Sequence, residues 1–223
     1  IISALISCNS LCVAMSDCRT DNTDTFKELH AHLENGDFLA FNQQLLALPN
    51  DQMLKLLQMP INLAQETFIY SLVRSEDPHA YFVLTNLLER LQAIGKLSDV
   101  VLSKNINGQT PLDVAANNEN IHTTIQLLVY MRELPESVFF AWAQRSTLLF
   151  ALVTNNNDHF FDAVMRELRN CDEQTIAPLF TKKSAMTGDT PLHIALKAHD
   201  YYKTKVLLEA CNDETIRHNC KDL

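Results

Sequence analysis

The sequence predicts an all-α chain of about five repeated units, each a helix-turn-helix followed by an extra short helix. Three observations carry this. Glycine is scarce, 4 in 223 residues, and the 7 prolines fall mostly between apolar runs. Apolar residues recur at helical spacing, where strands would alternate. Two separate stretches also start a helix in the same way. They are Gly108-Gln109-Thr110-Pro111-Leu112-Asp113-Val114-Ala115-Ala116 and Gly188-Asp189-Thr190-Pro191-Leu192-His193-Ile194-Ala195-Leu196. In each, glycine permits a tight turn. Threonine is a good N-cap, and proline at the first helical position gives up an amide hydrogen that had no partner there. Asp113 stands three residues after Thr110, the spacing of a capping box.

In chain order, residues 1–22 are apolar with small residues between, and they predict a capping helix or linker. Leu5-Ile6-Ser7-Cys8 has the look of a lipoprotein cleavage box but lacks a basic leader. The start at Ile1-Ile2 reads as that of a fragment. From 23 to 223 the chain repeats, in units near 23–60, 61–104, 105–145, 146–183 and 184–223. The first begins at Thr25-Phe26-Lys27-Glu28, with capping-box spacing, breaks at Asn35-Gly36-Asp37 and resumes at Phe38. The second begins at Asn62-Leu63-Ala64-Gln65, continues through Thr67-Phe68 and breaks at Ser75-Glu76-Asp77-Pro78. The fourth runs from Thr147, breaks at Asn155-Asn156-Asn157-Asp158 and resumes at Phe160. The third and fifth are the clear ones, with second helices through Ile125-Gln126-Leu127-Leu128 and Lys205-Val206-Leu207-Leu208. Aligned on Lys27, Thr67, Thr110, Thr147 and Thr190, the separations are 40, 43, 37 and 43 residues. A further segment follows each second helix, at 50–57, 98–102, 135–142, 172–176 and 213–216. Most open with Pro, Ser, Asp or Asn plus an acid, as helix N-termini do, so a third short helix is expected in each unit.

Composition excludes several functions. The net charge of −9 argues against a nucleic-acid surface. No apolar run is long enough for a bilayer span. The six cysteines, Cys8, Cys12, Cys18, Cys171, Cys211 and Cys220, form no CxxC pair and read as reduced thiols of a cytoplasmic protein.

The Thr-Pro-Leu-Asp and Thr-Pro-Leu-His stretches, with Ala115 and Ala195 behind them, resemble the ankyrin repeat signature Thr-Pro-Leu-His-x-Ala. The resemblance is strongest over 105–134 and 184–211. Units 1, 2 and 4 share only the apolar pattern and the polar break. The present units exceed the usual length of about 33 residues. The family's loop aspartate is replaced by Asn105 and Ala185. Its hinge glycine is replaced by Glu119 and His199, which implies strained or reshaped turns. Long three-helix units look like those of ankyrin-repeat effector proteins of intracellular bacterial pathogens.

The resemblance implies an ankyrin-like α-solenoid. It implies a monomeric protein–protein interaction module without catalysis or cofactor, secreted into the host cell and binding a host protein if it is an effector. The family binds through loop tips and the exposed ends of its first helices. That gives Asn107, Gln109, Asn117 and Asn118 in the third unit, and Thr187, Asp189, Lys197 and Ala198 in the fifth. Weaker alignment adds Arg74, Ser75, Thr154 and Asn155. These are mostly uncharged, so binding of modest salt dependence is expected. In the family, the histidine at the place of His193 bridges adjacent loops.

Candidate chemistry is sparse. Cys8, Cys12 and Cys18 with His30 and His32 are the only loose ligand-like group, and structural zinc wants closely spaced pairs. Buried helical thiols and no metal are expected there. A cysteine nucleophile with His30 or His32 as base would instead make the chain a cysteine-dependent part of a larger enzyme. No phosphate-binding glycine loop is present. Phe139, Phe140, Trp142, Phe160 and Phe161 are expected in the core, where an exposed one would anchor a partner.

Overall fold

The computed structural model describes residues 20–211, which form fourteen helices and no strand. They are α1 (Thr20–Glu34), α2 (Phe38–Ala47), α3 (Asn50–Gln58), α4 (Phe68–Arg74), α5 (Pro78–Ala93), α6 (Leu97–Val101) and α7 (Pro111–Asn117). The chain continues with α8 (Ile121–Arg132), α9 (Glu136–Ala143), α10 (Leu148–Thr154), α11 (Asp158–Leu168), α12 (Glu173–Thr181), α13 (Pro191–Lys197) and α14 (Tyr201–Cys211). The expected short third helices are α3, α6, α9 and α12. The segment 213–216, most of the expected N-terminal cap, and Cys8, Cys12, Cys18 and Cys220 lie outside the described residues.

A single local grammar builds the repeat. Four helices of seven residues, α4, α7, α10 and α13, follow the N-caps Thr67, Thr110, Thr147 and Thr190. A three-residue hinge then leads into a longer helix. The last hinge residue is Asp37, Asp77, Asn120, Asn157 or Asp200. Each accepts from a backbone amide of the first turn, on Ala40, His79, Thr123, Phe160 and Lys203 respectively. Such a cap contributes about 1 kcal/mol.

Hinges come in two forms. After α1 the Asp37 amide donates to His32 O and the Gly36 amide to Leu33 O, a Schellman ending with Gly36 at φ +72°. The same pair of bonds closes α7 through Asn120 and Glu119, and α13 through Asp200 and His199. There the left-handed residue is not glycine: Glu119 has φ 58° and His199 φ 55°. The strained turns expected from the missing glycines are therefore present. After α4 and α10 the hinge instead leaves through extended Ser75 and Asn155.

Two sequence expectations need correcting. Thr25 is not a helix start, because α1 runs unbroken from Thr20 and no glycine or proline interrupts it before Asn35. Asn62 does not open a helix either. Its Oδ1 accepts from the Ala64 amide at 3.0 Å and the Glu66 amide at 3.2 Å, which makes a local turn with Gln65 at φ 58°.

The chain divides into two compact units. The first holds α1–α5 and the loop 104–108; the second holds α6–α14. In the first, Phe26 and Phe41 both pack against Phe68, at ring separations of 5.0 and 5.5 Å, and Leu29, Leu84 and Leu88 are fully buried. Arg90 of α5 ties down the end of α2. Its guanidinium donates to the carbonyls of Leu45, Leu46 and Leu48 and to Asn50 Oδ1. In the second unit like packs on like: α7 on α10, α10 on α13, α8 on α11 and α9 on α12. Ala115 and Ala116 are fully buried, which lets α10 approach α7 closely. Phe139, Trp142, Phe160 and Phe161 are buried as expected, while Phe140 is exposed. Pro178 lies inside α12 rather than between helices.

Candidate interaction surface

The cap threonines organise the loop end of the seven-residue helices. Thr110 Oγ1 accepts from the Asp113 amide at 3.3 Å, and Asp113 Oδ2 accepts in return from Thr110 N at 3.0 Å and Oγ1 at 2.7 Å. Asp113 Oδ1 reaches the next repeat. It accepts from Ser146 Oγ at 2.8 Å, Thr147 N at 2.9 Å and Thr147 Oγ1 at 3.2 Å. The side chain is buried, and each of its five hydrogen bonds comes from a donor. In the equivalent place, His193 Nδ1 accepts from the Thr190 amide at 3.3 Å and lies 2.8 Å from Thr190 Oγ1. The loop bridging that the resemblance implied for His193 is thus made here by Asp113.

The residues predicted to bind a partner divide between the two units. In the first, Asn107 is exposed, but Arg74 is committed. Its Nη1 donates to Glu66 Oε2 at 2.6 Å, and its Nη2 closes on Glu66 Oε1. Asn62 Nδ2 adds a bond to Oε2 at 2.8 Å, and Asn105 Nδ2 approaches Oε1 at 3.5 Å. The Arg74 hydrogen bonds, joined by those of Asn62 and Asn105, outweigh burial and pull the Glu66 carboxyl down to about 2. Arg74 therefore positions the loop rather than offering a free cation.

In the second unit, stacking of α7, α10 and α13 brings Asn117, Asn118, Thr154 and Lys197 into one row of exposed helix ends. Thr154 Oγ1 is turned back onto Phe150 O at 2.9 Å. The Asn155 carbonyl accepts from the buried Lys203 Nζ, which also lies 3.1 Å from Asp200 Oδ2. Lys197 Nζ donates to both Asp189 oxygens at 2.7 Å, and this bond holds the Asp189 carboxyl below the ordinary range. Glu66–Arg74 and Asp189–Lys197 occupy the same repeat positions, the residue before the cap threonine and the last residue of the helix. Gln109–Asn117 and Ser146–Thr154 fill them without charge.

Sequence reasoning missed a recurring exposed apolar position. Leu63, Ile106 and Met186 each stand four residues before a cap threonine, and they are 66%, 68% and 95% exposed. The Ile106 amide donates to Ala64 O at 2.8 Å, which brings the tips carrying Leu63 and Ile106 together in the first unit. Before the fourth cap threonine the loop is shorter, and the equivalent residue, Ala143, is the buried last residue of α9. The signal was available in the threonine alignment, but a polar-tip rule passes over apolar residues.

Among the described residues, no three His, Cys, Asp or Glu side chains gather so as to hold a metal ion. Cys171 edges a cavity of about 230 Å³ lined also by Met165, Leu168, Ile176, Phe180 and Ala210. Burial pushes its thiol up, the reverse of what an activated nucleophile needs. No single helix among these residues is long and apolar enough to cross a membrane.

No protein-family model matches the chain, and no curated protein matches it in sequence.

Proposed function

We propose that the chain is a divergent ankyrin-type repeat array that binds another protein through its loop ends and has no catalysis of its own. The seven-residue capped helix, three-residue hinge, longer helix and short third helix support the solenoid reading. The observation that carries the function is the recurrence of exposed apolar loop tips, Leu63 and Ile106 in the first unit and Met186 in the second. Leu63, Ile106 and Met186 recur at one position of the repeat and serve no core. Exposed apolar side chains rimmed by polar ones are what a protein partner desolvates. The long three-helix unit supports the further reading of a bacterial effector, which makes the partner a host protein.

Affinity capture from a eukaryotic lysate tests this. Wild type is compared with Leu63→Asp/Ile106→Asp and with Gln109→Arg/Asn117→Arg/Asn118→Arg, each variant first shown to keep its helicity and melting. A protein held by wild type and lost by either variant supports the reading. Equal capture by all three moves the site off the loops, and an empty capture counts against a host partner.

A further inference from the structure

The loop end and the hinge end of the second unit differ in charge. The chain carries −9, and Glu119, Asp158 and Asp200 stand at or beside helix starts at the hinge end, where acids suit the dipole, with Lys203 Nζ 3.8 Å from Asp158 and 3.1 Å from Asp200. The loops at the other end of the same helices carry Arg145, Lys182 and Lys183, with Asp189 as their acid. Asp189 is already neutralised by Lys197 at 2.7 Å. Lys182 is consumed internally, since its Nζ donates to Ser146 O at 2.9 Å and to Arg145 O, which ties the two loops into one edge. Arg145 and Lys183 are exposed, and their charged groups have no ion-pair partner among the described residues. Met186 projects three residues beyond Lys183, almost wholly in solvent.

On the reading proposed above, we infer that this edge takes an acidic polypeptide segment carrying a large apolar side chain. Carboxylates of the partner face Arg145 and Lys183, and the apolar side chain covers Met186. Attraction to the two unpaired cations steers such a segment to the loop end. Two unpaired cations on an acidic chain are too few for a phosphate backbone, so a peptide fits and a nucleic acid does not. The mostly uncharged residues predicted from sequence gave modest salt dependence. Arg145 and Lys183 make the contact more sensitive to salt.

The test is selection of a displayed random-peptide library on the whole chain. Enriched peptides are then titrated by fluorescence polarisation, at low and high salt, against wild type, Arg145→Glu/Lys183→Glu and Met186→Asp. All three substituted positions are exposed, and helicity and melting check each fold. The expected result is an acidic, apolar-containing set that weakens with salt and loses about tenfold or more on the charge-reversed variant. An enriched set without acidic bias, or acidic peptides that bind Arg145→Glu/Lys183→Glu as tightly as wild type, overturns the inference. Neutral peptides that lose Met186→Asp overturn it while leaving the loop-end reading intact. Peptides indifferent to both variants, or an empty selection, count against both.

Discussion

Glu119 and His199 hold the same left-handed backbone at the same place in two repeats, φ 58° and 55°. A side chain with a Cβ costs roughly 1–2 kcal/mol there, whereas glycine adopts the region freely. Glycine also makes the unfolded chain more flexible, which takes back part of the gain. Glu119→Gly and His199→Gly are therefore each expected to raise stability by about 0.5–1 kcal/mol, additively, in thermal melts. Loss of stability in either would mean that the side chain contributes more than the turn costs. Glu66 gives a pH-dependent counterpart. Its carboxyl titrates near 2 when folded, against 4.5 ordinarily, so its bonds to Arg74 stabilise fully above pH 4.5. As pH falls from 4.5 towards 2 the unfolded chain takes up the proton first, and the contribution disappears. Hydrogen-exchange protection of α4 in Glu66→Gln should be weaker than wild type by about 2 kcal/mol at neutral pH. The gap should close in acid, and a gap that stays constant with pH would refute the ion-pair account.

Helices and caps were the most legible level in the sequence. Thr110-Pro111 and Thr190-Pro191 announce helix starts because one residue accepts the first free amides and the next has none to satisfy. Hinges were legible for the same reason, since each ends in Asp or Asn. The starts at Thr25 and Asn62 misled because capping-box spacing alone does not say whether the acceptor is free. Asn62 spends its oxygen on its own turn, and upstream of Thr25 nothing stops the helix. Bonds between elements left no local signal. Arg90, deep in α5, serves the last carbonyls of α2 more than forty residues away. Arg90→Met keeps the apolar stem but strands the partly buried carbonyls of Leu45 and Leu48, the exposed carbonyl of Leu46, and Asn50. A loss of about 2 kcal/mol is expected, read as earlier exchange of α2 and α5 amides. Unchanged exchange there would show that water replaces the guanidinium without cost.

Across the whole molecule, scarce glycine and the helical spacing of apolar residues foretold the all-helical class that the described residues show. The division into two compact units was not foretold. It falls where loop 104–108 and α6 exchange places along the chain, and the left-handed Gly95 and Gly108 beside it do not distinguish it from a turn inside a unit such as that at Gly36. Nearest-neighbour coupling gives that division a consequence. Asp113 accepts five hydrogen bonds, two from Thr110 at the cap of α7 and three from Ser146 and Thr147, and so joins α7 to the start of α10 inside the second unit. Asp113→Asn substitutes a donor for one acceptor oxygen in this all-donor setting and should cost roughly 2–3 kcal/mol. Trp142, the single tryptophan, is buried in α9 and reports on that unit alone. Its fluorescence midpoint in urea should fall in Asp113→Asn, while exchange protection of α1, α2 and α5 changes little. Equal loss of protection in both units would mean that damage crosses the division undiminished, and the chain would then unfold as one cooperative array.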